Sequence, residues 1–266
     1  MSPRPTIAFV TDFGHDSPYV AQMKCVARSI NPAIDFLDVT HSIPPQDIQH
    51  ASIVVDQIAD FLNNETCLVA IVDPGVGSDR RILAAQFDGV FFVAPDNGTF
   101  GEYFHRKNVT QIVDVTESGF WRDVVSSTFH GRDIMTPVAA HLLSGIPINE
   151  LGPGVESFHQ LPIVKPKIDG KTIQGKILYA DSFGNLITNI SRKFLFDAIG
   201  SDTAPSVNVS VGSVSVGSIR ETYSDVARGE LVPLFGSNNM LEIAKADGNL
   251  LLDGRISEAD AVVVRW

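Results

Sequence analysis

The chain has 266 residues, 44 % hydrophobic and 19 % charged, enough for a sizeable core and incompatible with a disordered polymer. Its net charge of −11, with no Lys/Arg cluster, excludes a nucleic-acid-binding surface. No apolar run reaches bilayer-spanning length, and Met1-Ser2-Pro3-Arg4-Pro5 leads into a strand without the apolar stretch of a signal peptide. Cys25 and Cys67 each sit in an apolar run and read as buried free thiols, and neither a disulfide framework nor a CxxC metal site is visible. The chain reads as soluble and cytoplasmic.

In chain order, 6–10 is an apolar strand ending at Thr11-Asp12-Phe13-Gly14. An amphipathic helix is expected over 19–30, stopped by Asn31-Pro32, then a strand over 34–39. Pro44-Pro45 predicts a helix through 46–62, and 67–72 is a third, buried strand. Runs 82–87 and 90–94 flank Asp88-Gly89, a hairpin turn. A strand over 109–115 and a helix over 130–143 follow. Strands alternating with helices imply an α/β domain with a mainly parallel sheet, taken as 1–164. The polar stretch 165–171 reads as a linker. Beyond it, β-prone runs at 172–179, 185–190, 206–216, 240–244 and 261–266, with few helix signals, predict a smaller β-barrel or sandwich over 165–266.

The candidate chemistry sits at strand ends. Asp73 leaves the third strand into Pro74-Gly75-Val76-Gly77, closing on Arg80. Open α/β sheets present catalytic groups in this way, although a plain Asp73–Arg80 salt bridge pinning the turn fits too. Asp12, ending the first strand, is either a ribose-binding carboxylate or a cap of the next helix. No GxGxxG follows it, so a dinucleotide site is not expected. His130 opens a helix within Thr128-Phe129-His130-Gly131-Arg132-Asp133 and shares a face with His141, but the residues between them on that face are apolar and no metal site is expected. In the second domain, Asp181-Ser182-Phe183-Gly184-Asn185 reads either as a tight corner or as a clamp. In the clamp, Phe183 stacks on a flat ring while Asp181 and Asn185 hydrogen-bond polar groups.

Taken together and in order, Thr11-Asp12-Phe13-Gly14, Asp73-Pro74-Gly75-Val76-Gly77 with Arg80, Ala94-Pro95-Asp96-Asn97-Gly98, Phe129-His130-Gly131-Arg132-Asp133 and Asp181-Ser182-Phe183-Gly184-Asn185 resemble one family. It is that of the adenosine-forming S-adenosyl-L-methionine (SAM) hydrolases, or SAM hydroxide adenosyltransferases, relatives of the fluorinase and chlorinase. The resemblance covers almost the whole chain. It implies hydrolysis of SAM to adenosine and methionine without a cofactor, an α/β domain followed by a β-barrel, and a homotrimer with sites between neighbouring subunits. It places the catalytic set on Asp73, Arg80 and His130, and ribose binding on Asp12. Further substrate contacts fall on Phe129, Gly131, Asp181, Phe183, Asn185, Ser237 and Lys245.

The halide-using relatives carry aromatic residues in place of Asp73 and His130, and fluorinases insert a loop where Arg80 here leads directly into a strand. These differences favour water over halide. Ile187 replaces the fluorinase's Trp, Lys245 its Arg, and Asn238 a charged residue. The rival readings are a halide-using SAM enzyme, a non-catalytic adenosyl-compound-binding protein, and an α/β scaffold carrying a β-barrel interaction module.

Overall fold

The structure, a computed structural model, describes residues 4–162, 164–200 and 207–266. The chain divides into two compact units, Met1–Pro162 and Ile163–Trp266.

The first unit is built on a six-stranded sheet. In chain order it contains β1 (Thr6–Thr11), α1 (Tyr19–Ile30), β2 (Asp35–Thr40), α2 (Ile48–Ile58), β3 (Thr66–Ile71), β4 (Ile82–Phe87), β5 (Val90–Pro95), α3 (Gly101–Lys107), β6 (Gln111–Asp114) and α4 (Thr136–Leu142). The sheet order is β2-β1-β3-β5-β4-β6. β2, β1, β3 and β5 run parallel, and β4 runs against both its neighbours. The β4–β5 turn has φ of 51° at Asp88 and 81° at Gly89, the left-handed pair that the short hairpin demands.

Two cores form because the strands are apolar on both faces. Ile7, Phe9, Cys67, Val69 and Ile71 pack on one side with Met23 and Ala27 of α1 and Val138, Ala139 and Leu142 of α4. Their alternates Ala8, Val10, Leu68, Ala70 and Val72 pack on the other with Ala51 and Val55 of α2 and Phe104 of α3. The parallel pairing of β1, β3 and β5 brings their C-terminal residues, Thr11, Ile71 and Pro95, to neighbouring strand ends.

Three elements of this unit differ from what the sequence predicts. α2 begins at Ile48, not beside Pro44-Pro45, because Asp47 caps it by accepting the His50 N–H at 2.9 Å. The helix expected from His130 opens as a π-helical turn, Gly131–Met135, before α4. Although Gly98-Thr99 after Asp96-Asn97 reads as a turn and helix cap, no helical period marks α3. It is short, and it is held by Tyr103 and Phe104 against Phe92, contacts remote from any helical period.

The second unit is an antiparallel, nearly closed, barrel-like sheet. It contains β7 (Lys167–Asp169), β8 (Thr172–Ala180), β9 (Leu186–Ser191), α5 (Arg192–Ile199), β10 (Asn208–Val211), β11 (Val214–Gly217), β12 (Leu231–Phe235), β13 (Met240–Lys245) and β14 (Ala261–Arg265). The path is β11-β10-β14-β8-β9-β13-β12, with β7 beside β8. A bridge between Arg220 and Leu234 joins its two ends. Ile173, Leu186, Val209, Leu241, Ile243, Val262 and Val264 fill the interior.

The stretch 165–171 is not a plain linker. Residues 167–169 pair with β8 around Gly170, whose φ is 57°. The strand expected over 206–216 folds back at Gly212 into the β10–β11 hairpin, and Ser206 lies outside the described residues, as do Met1, Ser2 and Pro3. α5 is bounded by a Ser191 cap and a left-handed Gly200. β12 carries Pro233, which argues against a strand until one sees that β12 ends the sheet path. Among the described residues, no helix is long and apolar enough to cross a membrane.

Candidate active site

Beyond β3 the chain enters a tight double turn. The Val76 N–H donates to the Asp73 carbonyl at 3.2 Å, and the Ser78 N–H to that of Gly75 at 3.1 Å. Gly77, at φ 79°, lies against the Ser127 carbonyl, where an added Cβ would stand at 2.4 Å. The loop therefore lies close against the segment leading to His130.

Arg80 turns its fork back onto Asp73. Its Nε donates to the two carboxylate oxygens at 2.7 and 2.9 Å, and its Nη2 donates to Oδ2 as well. The side chains are only 6 % and 11 % exposed, so this is a nearly buried ion pair and not a surface salt bridge. Nη2 also lies 3.1 Å from His130 Nδ1. A guanidinium can only donate, so Nδ1 is the acceptor and the proton of the neutral ring sits on Nε2. Burial, and then the Arg80 charge, lower the His130 pKa against the opposing pull of Asp73 and Asp133. A pinned turn would need only Asp73 and Arg80. The contact with His130 is what makes the group a constellation.

Gly131 permits this approach, since a Cβ there would meet Ile71 Cδ1 at 2.8 Å. Asp133 is fully buried and anchors the turn, accepting from Arg132, the Ser126 N–H and Arg122. Burial alone would raise its carboxyl, but these donors outweigh it and hold the pKa at about 2. Phe129 forms an edge-to-face triangle with Phe13 and Tyr19, with centroids 5.2–5.6 Å apart, and Arg132 lies over its ring. Asp12 therefore has an aromatic neighbour, Phe13, in contact with the residue before His130.

Asp12 does not cap α1, which starts after Pro18 with no side-chain cap. Its Oδ2 accepts the N–H of Gln46, whose φ of 66° is left-handed and rare for such a residue. Beside it, buried Thr11 and His41 meet at 2.9 Å, tying the ends of β1 and β2 together.

In the second unit, Asp181 braces its own corner. Oδ1 accepts the N–H groups of Phe183 and Asn185, each at 2.9 Å, and Oδ2 accepts Asn185 Nδ2 at 3.0 Å. The corner holds the Phe183 ring 74 % exposed while Asn185 is buried, so a flat ligand can reach the aromatic face. Only glycine fits at position 184, because its φ is 82° and Asn249 packs where a Cβ would stand. Ser237 lies in the turn joining β12 and β13. Lys245 is held by Asp253, which Arg255 shares, so its ammonium already has a partner.

One candidate was missed in the sequence. Glu242 on β13 is 5 % exposed, accepts a hydrogen bond from the Tyr223 hydroxyl, and rests its Oε2 on Gly236. Burial, reinforced by the charge of Asp181, raises its pKa against the pull of Tyr223. The signal available was a lone Glu inside an apolar strand, which also fits an outward-facing strand position.

The chain matches the family model "SAM hydroxide adenosyltransferase N-terminal domain" over residues 7–152 and that of the C-terminal domain over 175–262. It is 34 % identical to an (R)-S-adenosyl-L-methionine hydrolase of Salinispora tropica, with 93 % of each protein covered. Another, from Thermus thermophilus, is 31 % identical, covering 91 % of this chain and 92 % of that protein. A fluorinase of an Actinoplanes species is 27 % identical over 71 % of this chain and 72 % of its own length. The crystal structure of an uncharacterized conserved protein from Thermotoga maritima superposes with a TM-score of 0.89 at 32 % identity, covering 98 % of this chain and all of that one.

Proposed function

The chain belongs to the SAM hydroxide adenosyltransferase family, and on that premise we propose that it hydrolyses S-adenosyl-L-methionine to adenosine and methionine. The observation that carries this reading is the contiguous Asp73–Arg80–His130 group, a carboxylate, a guanidinium and a neutral imidazole.

The chemistry needs little beyond a placed water. A bond forms between the water oxygen and C5′ as the C5′–S bond breaks, and the electron pair leaves on the sulfur of neutral methionine. No general acid is required. Positioning the water in line supplies much of the rate. Among the described residues no protein atom accepts from Arg80 Nη1, so its N–H groups are available to hold the water and favour its hydroxide-like form. His130 Nε2 carries a proton while Nδ1 accepts from Arg80, so it holds the water as a donor and does not serve as the base. The proton then goes to Asp73 and on to solvent.

Substrate binding is assigned to residues of both units. Asp12 takes the ribose hydroxyls, with Phe129 and Gly131 flanking the reacting carbon. Phe183 stacks on adenine and Asn185 hydrogen-bonds the substrate, with Asp181 holding the corner that carries them. Glu242 and Asp181 place negative charge for the cationic methionine end, and Ser237 and Lys245 complete that end. Cys67 is buried as its apolar run suggests, whereas Cys25 is exposed; both are free thiols and fit a reducing compartment, the cytoplasm. The homotrimer rests on the family resemblance and is read by light scattering of the purified chain.

The test is product analysis by chromatography. Because the curated relatives are named for the (R) form, both sulfonium epimers are supplied, in halide-free and halide-rich buffer. Adenosine in both buffers supports the reading. A 5′-halo-5′-deoxyadenosine, or no adenosyl product from either epimer, refutes it.

A further inference from the structure

The turn after β5, Asp96-Asn97-Gly98-Thr99, has no role in the chemistry above, yet it grips both ends of the loop that carries the ion pair. The β3–β5 ladder runs from Cys67–Phe91 to Val69–Val93. β5 then ends at Pro95, which has no N–H to offer. A side chain takes over from the backbone at this point. Asn97 Nδ2 donates to the Val72 carbonyl at 2.8 Å, immediately before Asp73. Its amide cannot turn over freely, because Oδ1 accepts from the hydroxyl of fully buried Thr99 at 2.7 Å and from the Thr99 N–H at 3.2 Å.

The adjacent Asp96 holds the other end. It accepts from Arg81 Nε at 2.9 Å, and its own N–H donates to the Arg81 carbonyl at 3.0 Å. Arg81 immediately follows Arg80. Asp96 Oδ1 also accepts the His159 N–H at 2.7 Å, and Arg81 Nη2 reaches the Ser157 carbonyl at 2.8 Å, so this anchor is itself braced. Consecutive side chains of one turn thus fix Val72 and Arg81, the residues flanking the loop from Asp73 to Arg80.

We propose that Asp96 and Asn97 are positioning residues for hydrolysis, setting the aim of Asp73 and Arg80 without touching the substrate. The inference rests on the hydrolase reading. Pinning both ends of a short loop limits the drift of the carboxylate and guanidinium relative to His130. Displacements of about 1 Å are enough to cost on the order of 100-fold in rate.

The experiment is a mutant cycle in the full-length chain, with kcat and KM for SAM read separately. Asn97→Ala lowers kcat about tenfold or more while KM stays near wild type, the pattern of lost aim and not of lost binding. In an Asp73→Asn background the same change lowers kcat by less than about twofold, because the carboxylate is gone and the Arg80 guanidinium it held is freed, so neither group is left to aim. Should Asn97→Ala melt early, Thr99→Val replaces it in the cycle, since it removes only the hydroxyl that orients the amide. An unchanged kcat, or a loss that recurs in full without Asp73, overturns the proposal. A wild-type chain that forms no adenosine overturns the hydrolase reading first, and this inference with it.

Discussion

At the scale of single residues, the chemistry turns on how charge is shared among Asp73, Arg80 and His130. Both oxygens of Asp73 face Arg80, so replacing the carboxylate removes the proposed proton acceptor and also frees the guanidinium. Asp73→Asn is expected to lower turnover at least ~100-fold, the usual scale for losing general-base catalysis. Near-wild-type turnover in steady-state assays would remove Asp73 from the chemistry. The pH dependence follows from His130. Its lowered pKa keeps the ring neutral, and protonating Nδ1 would destroy the acceptor that Arg80 uses. Turnover is therefore expected to be flat around neutrality and to fall only as pH drops below the ordinary imidazole value of 6.5. The stability sign agrees. A histidine whose folded pKa is depressed contributes stability above its unfolded pKa and loses it as pH falls through the folded one. An acid limb in the pH–kcat profile centred above 6.5 would contradict this. These residues were legible because they end a strand or open a helix within distinctive turns. Glu242 was not, since its burial depends on the fold bringing Tyr223, which lies outside the β12–β13 hairpin, and the turn at Gly236 onto one side chain. The Asp253 partner of Lys245 lies on a later turn that no periodicity marks.

At the scale of elements, the loop between β3 and β4 is shaped by close approaches that glycine allows. Gly77 combines a φ of 79° with a carbonyl 2.4 Å from any added Cβ, so Gly77→Ala must shift the backbone against residue 127. It is expected to cost about 1–3 kcal/mol in denaturant unfolding. Gly119→Ala, with open space around it, is the control and should be nearly silent. Equal stability of the two variants would show that the loop yields without strain. The central strands were legible because burial on both faces leaves unbroken apolar runs, and the Asp88-Gly89 hairpin because its turn type restricts its residues. α3 and β12 escaped for the opposite reason. One is fixed by aromatic contacts across the unit, and the other tolerates a proline as the last strand of its sheet path. α5 carried its signals, Ser191 and Gly200, but on only eight residues within an otherwise β-rich stretch.

At the scale of the whole molecule, two separately cored units carry the proposed groups: Asp12, Asp73, Arg80 and His130 in the first, and Asp181, Phe183, Asn185 and Glu242 in the second. The overall charge of −11 suits a substrate whose sulfonium and ammonium outweigh its carboxylate. The proposed reaction turns water, held by Arg80 and His130, into the 5′-hydroxyl of adenosine. It is tested most directly by turnover of SAM in ¹⁸O-enriched water containing chloride, with both products analysed by mass spectrometry. One ¹⁸O is expected in the 5′-hydroxyl of adenosine and none in methionine. Unlabelled adenosine, label in methionine, or a chlorinated nucleoside in its place would contradict it.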